Sequence, residues 1–247
     1  MFPLVHYYIN KNVYESSSKL MILGGLWPDL ASGAGLNRNE AHAMGDNFYN
    51  WCQENAEEAL PLARGIIGHG IQPFCVDYYA DENWHNGSKG WCFQMGKPYE
   101  AAVSAATGLG SDYAWWKSHN FVEICCEIIT NQRYTGLGED ILDAILDQKA
   151  TKTASRVLSA YSGCDPEAVV NTFQRGAKIF ALTDLSTSNL AEKQKTSIIH
   201  RVKSDPGCNI PAMAALLEQM QEDIEKEYEP FMGELLSLCA TAMSQYR

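Results

Sequence analysis

The 247-residue chain carries 19 Lys and Arg residues against 30 Asp and Glu residues, which gives a formal net charge of −11, and 46% of its residues are hydrophobic. This composition excludes an intrinsically disordered chain and predicts a globular protein with a well-buried core. The negative charge repels nucleic-acid backbones, so we expect no stable nucleic-acid binding, and no apolar stretch has the length of a transmembrane segment.

The first residues of the chain and its cysteines both indicate a cellular compartment. Residues 1–6 lack a basic region followed by an apolar run, which predicts a cytoplasmic protein. Eight cysteines without a Cys-x-x-Cys pair argue against a zinc ribbon and fit reduced thiols. Cys125 and Cys126, adjacent in an apolar segment, are interpreted as buried thiols.

Helical signals dominate the first half of the chain. Gly24 and Gly25 are expected to end a short helix, and Trp27, which precedes a proline, is expected to be extended and to lead into a loop at Asp29. The predicted elements, in chain order, are helices over 5–14, 19–23, 39–60 and 62–70, a short strand-like stretch at 74–79, a loop over 81–98 and a helix over 112–130.

The second half is more regular and is interpreted as scaffold. Asp165 followed by Pro166 is an N-cap with proline at the first helical position. Apolar residues recur at spacings of three and four between Met213 and Ile224. The expected helices cover 140–160, 166–182, 188–203 and 211–228, with Pro230 kinking or separating a final helix.

Five of the six histidines lie at or before residue 119, which concentrates the candidate metal ligands in the first half. The strongest local signal is His119-Asn120-Phe121-Val122-Glu123, because a spacing of four puts an imidazole and a carboxylate on one helix face. The surrounding helix is apolar, and a buried carboxylate is costly unless it is paired or binds a metal. A shared metal and a His–Glu hydrogen bond in the core both fit this pattern.

Other candidate metal ligands, with weaker local patterns, precede His119 and Glu123 in the chain. Asp29 and His42 are positioned to converge on one site, with Asp46 four residues after His42 as a candidate acceptor for its ring. His69 lies between Gly68 and Gly70 on an apolar segment, where glycines allow backbones to approach closely. Further possible ligands follow these residues at Asp77, Asp81 and His85, and His6 lies on the first helix.

Several enzyme classes have no motif in this chain. It contains no His-Glu-x-x-His, no Gly-x-Ser-x-Gly and no phosphate-cradling Gly-x-x-x-x-Gly-Lys-[Ser/Thr]. The sequence therefore provides no signal for the corresponding metalloproteases, serine hydrolases or P-loop enzymes.

Taken together, Gly24-Gly25-Leu26-Trp27-Pro28-Asp29, His42, Gly68-His69 and His119-x-x-x-Glu123 resemble the bacterial zinc-dependent phospholipase C family, which is related to the fungal single-strand nucleases. The resemblance covers about residues 1–130 and implies an all-α, multi-helical fold. We therefore predict a single domain over 1–247, in which 1–130 holds the metal site and 131–247 is helical scaffold.

The resemblance also implies the roles of individual residues. The site is expected to hold two or three Zn²⁺ ions or another divalent metal, and Asp29 is the candidate to orient the attacking water or act as base. Proline stands at position 73, where the family has an aspartate that bridges two zinc ions, and Asp77 is the nearest aspartate beyond it. The predicted metal ligands are His6, Asp29, His42, His69, Asp77, His119 and Glu123, with Asp81 and His85 as open alternatives.

Three interpretations follow from the sequence. The first is a zinc-dependent phosphodiester hydrolase, similar to phospholipase C, that acts on a small phosphodiester or a phospholipid head group. The second is a non-catalytic, metal-stabilised helical protein with a degenerate site, which proline at position 73 favours. The third is an interaction module that uses an exposed apolar face over 213–231.

Overall fold

The computed structural model describes residues 3–180 and 182–246, and within these ranges all regular structure is helical. The prediction of an all-α protein is confirmed. Among the helices of these ranges, none combines the length and the apolar character needed to cross a membrane.

From residue 3 onward, the first half contains eight α-helices, joined in places by short 3₁₀ or π turns. No strand forms over 74–79, where the chain turns and enters a helical stretch, so that expectation is wrong. The predicted loop over 81–98 is confirmed only at 83–90, because the π turn over Tyr78–Glu82 and a helix over Trp91–Gly96 occupy other parts of it. The helices are α1 Pro3–Tyr14, α2 Lys19–Leu30, α3 Arg38–Ala43, α4 Gly45–Asn55, α5 Leu60–His69, α6 Trp91–Gly96, α7 Glu100–Thr107 and α8 Ser111–Arg133.

Helix α2 is longer than predicted and includes Asp29 in its last turn. The expected end at Gly24 and the expected extended Trp27 are therefore wrong. A Cβ atom on Gly24 would lie 2.0 Å from the carbonyl oxygen of Leu62, so glycine here allows α2 and α5 to pack backbone against backbone. This tertiary contact outweighs the low intrinsic helix propensity of glycine.

The predicted helix over 39–60 is divided into α3 and α4 at Met44, and α4 ends at Asn55. Asn37 caps α3 by accepting hydrogen bonds from the backbone N–H groups of Asn39 and Glu40. The division matters for the site because it places His42 in the last turn of a short helix, next to the chain that follows α5. The N–H of Ile71 donates to the carbonyl oxygen of His42 across this junction.

Between residues 137 and 246, the described part of the second half forms five α-helices. The predicted helix over 140–160 is two helices, because the Asp147 side chain caps the second by accepting from the N–H of Ala150. Pro230 does not separate a final helix, since burial of the following residues holds α13 together. The helices are α9 Leu137–Leu146, α10 Gln148–Ser162, α11 Pro166–Ile179, α12 Thr187–Val202 and α13 Ile210–Met243.

The apolar face of α13 packs against α1, α7, α8 and α12. Met213, Ile224 and Phe231 are buried in this contact, and so the exposed apolar face expected over 213–231 does not exist. Helices α1, α2, α5 and α8 pack together in the other half of the molecule. Their ends converge on the candidate site.

Candidate metal centre

Eight histidine and carboxylate side chains form three groups in which the candidate ligand atoms lie within 4.8 Å of one another. Triads 1 and 2 share His69, and triad 3 stands beside them with its own three residues. Triad 1 is His6, His69 and Asp77; triad 2 is Asp29, His42 and His69; triad 3 is Asp81, His119 and Glu123. All seven predicted ligands belong to these groups, together with Asp81 from the open alternatives.

Asp77 connects the first two triads. Its Oδ1 atom lies 3.3 Å from Nε2 of His6, and its Oδ2 atom lies 3.2 Å from Nε2 of His42 and 3.3 Å from Nε2 of His69. Asp29 approaches the same group from α2, with Oδ1 at 3.6 Å from Nε2 of His42. One carboxylate thus faces three imidazoles, as a ligand shared between two ions would.

Backbone carbonyls fix the tautomers of two of these histidines. Nδ1 of His42 lies 2.8 Å from the carbonyl oxygen of Arg38, and Nδ1 of His69 lies 2.6 Å from that of Gly25. Because a carbonyl oxygen only accepts, each Nδ1 carries a proton, and each ring turns its Nε2 atom inward. Metal-bound histidines are characteristically oriented in this way.

The Nε2 atoms of His42 and His69 therefore face the acceptor oxygens of Asp77. Neither Nε2 atom has a hydrogen-bond partner among the described residues, and the same holds for the buried Oδ1 atom of Asp81. Acceptors that face one another at this distance repel unless a cation lies between them, either a proton on the ring or a metal ion. The donor set of imidazole nitrogens and carboxylate oxygens suits a divalent metal such as zinc.

Close contacts between helices bring these residues together. The ring of His6 on α1 stacks on the ring of His69 on α5, with centroids 3.7 Å apart. A Cβ atom on Gly68 would lie 1.8 Å from Oδ1 of the Asn10 side chain, so glycine at position 68 makes room for Asn10 of α1 beside α5. On the other side of His69, a Cβ atom on Gly70 would lie 2.9 Å from the backbone carbonyl oxygen of His42.

Glu127 holds the start of α1 in place. Its carboxylate accepts hydrogen bonds from the backbone N–H groups of Leu4 and Val5, at 3.1 and 3.2 Å. These are N–H groups of the first turn of α1, which have no partner within the helix. Glu127 lies one turn after Glu123 on α8 and belongs to none of the triads, and its contact fixes α8 to the helix that carries His6.

Triad 3 is built on α8 and the π turn. His119 and Glu123 lie one helical turn apart, as predicted, and Asp81 joins them from the π turn over Tyr78–Glu82. Nδ2 of Asn120 donates to Oε2 of Glu123 at 2.6 Å and lies 3.0 Å from Nε2 of His119. Nζ of Lys117 donates in turn to Oδ1 of Asn120 at 3.1 Å.

The pKa values of triads 1 and 2 reflect ionisable side chains that are buried close to one another. Burial, helped by the charge of His69, lowers the pKa of His6 to about 4. Burial would also lower the pKa of His42, but the Asp29 and Asp77 carboxylates outweigh it and raise that pKa to about 9. The pKa of Asp77 is held well below its usual value because the three imidazoles outweigh the effect of burial.

Triad 3 differs in its electrostatics. Burial lowers the pKa of His119 to about 4. Burial and the neighbouring carboxylates of Glu123 and Asp77 raise the pKa of Asp81 well above its usual value. A bound cation would favour the deprotonated form of Asp81, because it would neutralise this repulsion between acids.

Two of the sequence-based suggestions are wrong. His85 is exposed, and its Nε2 lies 2.7 Å from Oε1 of Glu234, so it is not part of the three triads. Asp46 does not orient the ring of His42, whose Nδ1 faces the carbonyl of Arg38; its Oδ1 atom instead accepts from the hydroxyl of Tyr246.

No protein-family model, curated protein or solved structure matches this chain. The chain is therefore an all-α protein with buried histidine–carboxylate groups that could hold metal ions. The resemblance to the zinc-dependent phospholipase C family stays a prediction.

Proposed function

We propose that the protein is a metal-dependent phosphodiester hydrolase whose centre holds two or three divalent cations, zinc being the best fit to the donor set. The observation that carries this proposal is the position of Asp77, whose two carboxylate oxygens lie within 3.3 Å of Nε2 atoms from three histidines. A single carboxylate shared in this way between adjacent triads is the arrangement expected of a multinuclear site.

The three triads would hold the ions, with Asp77 shared between triads 1 and 2. Bound zinc ions act as Lewis acids toward phosphoryl oxygens and lower the pKa of water from 15.7 to about 7. Two histidines are already oriented by backbone carbonyls, which means that little reorganisation accompanies binding.

Asp29 is the residue proposed to orient the attacking water or to accept its proton. Its side chain is 17% exposed, whereas the side chains of His42 and Asp77 beside it are 2% and 8% exposed. Asp29 is therefore a member of triad 2 that solvent can reach. Its pKa is held low because the imidazoles of His42 and His69 outweigh burial, so the carboxylate is ionised and ready to accept a hydrogen bond from water.

The substrate class that the proposal names is a small phosphodiester or a phospholipid head group. The direct experiment is hydrolysis of bis-p-nitrophenyl phosphate by the zinc-loaded protein, with and without a chelator. We expect turnover that the chelator abolishes, and Asp29→Asn is expected to lower kcat by about 100-fold or more. His85→Gln, which changes a histidine outside the triads, is the matched control and is expected to retain full activity.

A second candidate, a non-catalytic metal-stabilised protein, is favoured by the burial of the centre. His6, His42, His69, Asp77, His119 and Glu123 are all buried. The two surface pockets found between α10 and α11 and beside Tyr14 and Arg64 are lined by none of the triad residues. This candidate predicts that zinc raises the melting temperature while the zinc-loaded protein hydrolyses no phosphodiester.

A further inference from the structure

A set of aromatic and basic side chains lies beside triad 3. The ring of His119 stacks on Phe93 with centroids 4.1 Å apart and meets Trp116 edge-on at 5.5 Å, so these aromatic rings contact a candidate ligand directly. Phe93 also packs against Trp115 at 5.3 Å. The set, which we call the basic–aromatic rim, consists of Lys89, Phe93, Trp115, Trp116, Lys117 and Arg201.

Three cations of this rim lie over its rings. Nζ of Lys117 is 4.6 Å and Cζ of Arg201 is 4.9 Å from the centroid of Trp116. Nζ of Lys89 is 5.2 Å from the centroid of Phe93. The rings stabilise the cations through cation–π contacts, but they leave the positive charge uncompensated.

The three cations of the rim lie in a chain in which acidic residues outnumber basic ones by 30 to 19. Within residues 3–180 and 182–246, no carboxylate lies within 4.0 Å of the charged nitrogens of Lys89, Lys117 or Arg201. Lys19 and Arg133, by contrast, each contact two acids. Lys117 is in addition buried, and the nearby carboxylate of Glu123 stabilises its ammonium group.

Trp115 adds a flat apolar surface to the rim. Its side chain is 40% exposed although tryptophan is normally more deeply buried. An exposed aromatic ring next to cations that have no ion-pair partner is suited to a ligand that joins a flat or apolar group to an anionic one.

We propose that the basic–aromatic rim binds an anionic phosphate group whose attached ring lies against Trp115, beside triad 3. The role of this binding in a reaction rests on the proposed function, but the binding itself does not depend on it. It narrows the substrate class to esters that carry an anionic phosphate and an aromatic group. Zwitterionic head groups such as phosphocholine are expected to bind more weakly, since their cationic end meets the cations of the rim.

The test is isothermal titration of zinc-loaded and metal-free protein with phenyl phosphate, inorganic phosphate and phosphocholine. Phenyl phosphate is expected to bind most tightly. Arg201→Gln and Lys89→Gln are each expected to weaken its binding about fivefold, the effect of one partly exposed ion pair. Arg175→Gln, which removes an exposed cation on α11, is the matched control and is expected to leave affinity unchanged.

Trp115→Ala separates the two parts of the rim. It is expected to weaken phenyl phosphate and to leave inorganic phosphate unchanged. Unchanged phenyl phosphate affinity in both Arg201→Gln and Lys89→Gln would overturn the inference, as would phosphocholine binding as tightly as phenyl phosphate. Hydrolysis of the diester is measured on the same samples, so that the two proposals are tested separately. If the rim variants lose affinity for phenyl phosphate but the protein hydrolyses no diester, only the proposed function is contradicted. If the protein hydrolyses the diester but the rim variants bind phenyl phosphate as before, only the rim proposal is contradicted.

Discussion

Oδ2 of Asp77 lies 3.3 Å from Nε2 of His69, although a turn with a proline at position 73 separates the two residues. The helix that carries His69 ends at that residue, and the chain turns back before Asp77 begins the next helical stretch. The carboxylate therefore reaches the imidazoles from a separate turn and not from one turn further along the same helix. Proline at position 73 is compatible with a shared carboxylate in this centre.

The shared position of Asp77 predicts that Asp77→Asn reduces the metal content of the protein more than a change in triad 3 does. The neutral amide removes the charged ligand of triad 1 that also faces His42 and His69 of triad 2, and triad 3 keeps its own three residues. Inductively coupled plasma mass spectrometry after dialysis against zinc measures the stoichiometry. Asp112→Asn, an exposed acid in the first turn of α8, is the control, and an Asp77→Asn protein with the zinc content of this control would contradict the prediction.

Asn120 is predicted to position the ligands of triad 3. Its amide contacts both Glu123 and His119, so Asn120→Ala frees both side chains to rotate. Loss of such a supporting hydrogen bond weakens metal binding by about 10- to 100-fold. Competition with a chromophoric zinc chelator measures the change, which we expect for one ion only. Asn55→Ala, which removes an exposed amide bonded to the Trp51 carbonyl, should bind zinc like the unaltered protein.

The contact between α2 and α5 predicts a large effect of a small change at Gly24. In Gly24→Ala the added methyl group would lie 2.0 Å from the Leu62 carbonyl oxygen, so the two helices must separate, at a cost of about 3 kcal/mol or more. Gly233→Ala is the matched control, because Gly233 lies within α13 with no atom near its would-be Cβ. This control is expected to be stabilised by about 0.5–1 kcal/mol. Urea unfolding measures both, and equal stabilities would refute the close packing.

Glu127 predicts a pH dependence of stability in the metal-free protein. Burial raises its pKa from 4.5 to about 8, although the N–H groups of Leu4 and Val5 favour the ionised form. Between these two values the folded protein binds more protons than the unfolded chain. Its free energy of unfolding therefore falls as pH rises, by up to about 1.4 kcal/mol per pH unit.

Glu127→Gln is expected to remove this slope, because the amide oxygen still accepts from the backbone but does not titrate. Urea unfolding at pH 5, 6, 7 and 8 in the presence of a chelator measures the difference between the two proteins. Glu57→Gln changes an exposed acid and should retain the slope. A slope that persists in Glu127→Gln would show that another group is responsible.

The sequence predicted the helical class and most of the site, because both leave short-range signals. The spacing of four between His119 and Glu123 is visible in the letters alone, and so are the glycines on either side of His69. The division of the chain into helices was less accurate. Gly24 and Pro28 predict a break in the helix, whereas packing of α2 on α5 keeps both inside one helix.

The parts of the site that sequence reasoning left open depend on long-range contacts. Asp81, and not His85, joins triad 3 because the π turn after Asp77 directs Asp81 toward α8 and leaves His85 at the surface. The role of Glu127 in holding α1 depends on a contact across more than 120 residues. Neither the π turn nor that contact has a recognisable local pattern.

The most direct test of a multinuclear metal centre is an anomalous difference map from crystals of the zinc-loaded protein, collected on both sides of the zinc absorption edge. The account predicts two or three peaks, each about 2.0–2.3 Å from the histidine nitrogens and carboxylate oxygens of a triad, with Asp77 shared between two of them. Zinc-saturated crystals with no peak at the triads, or with zinc bound only at surface residues, would contradict it.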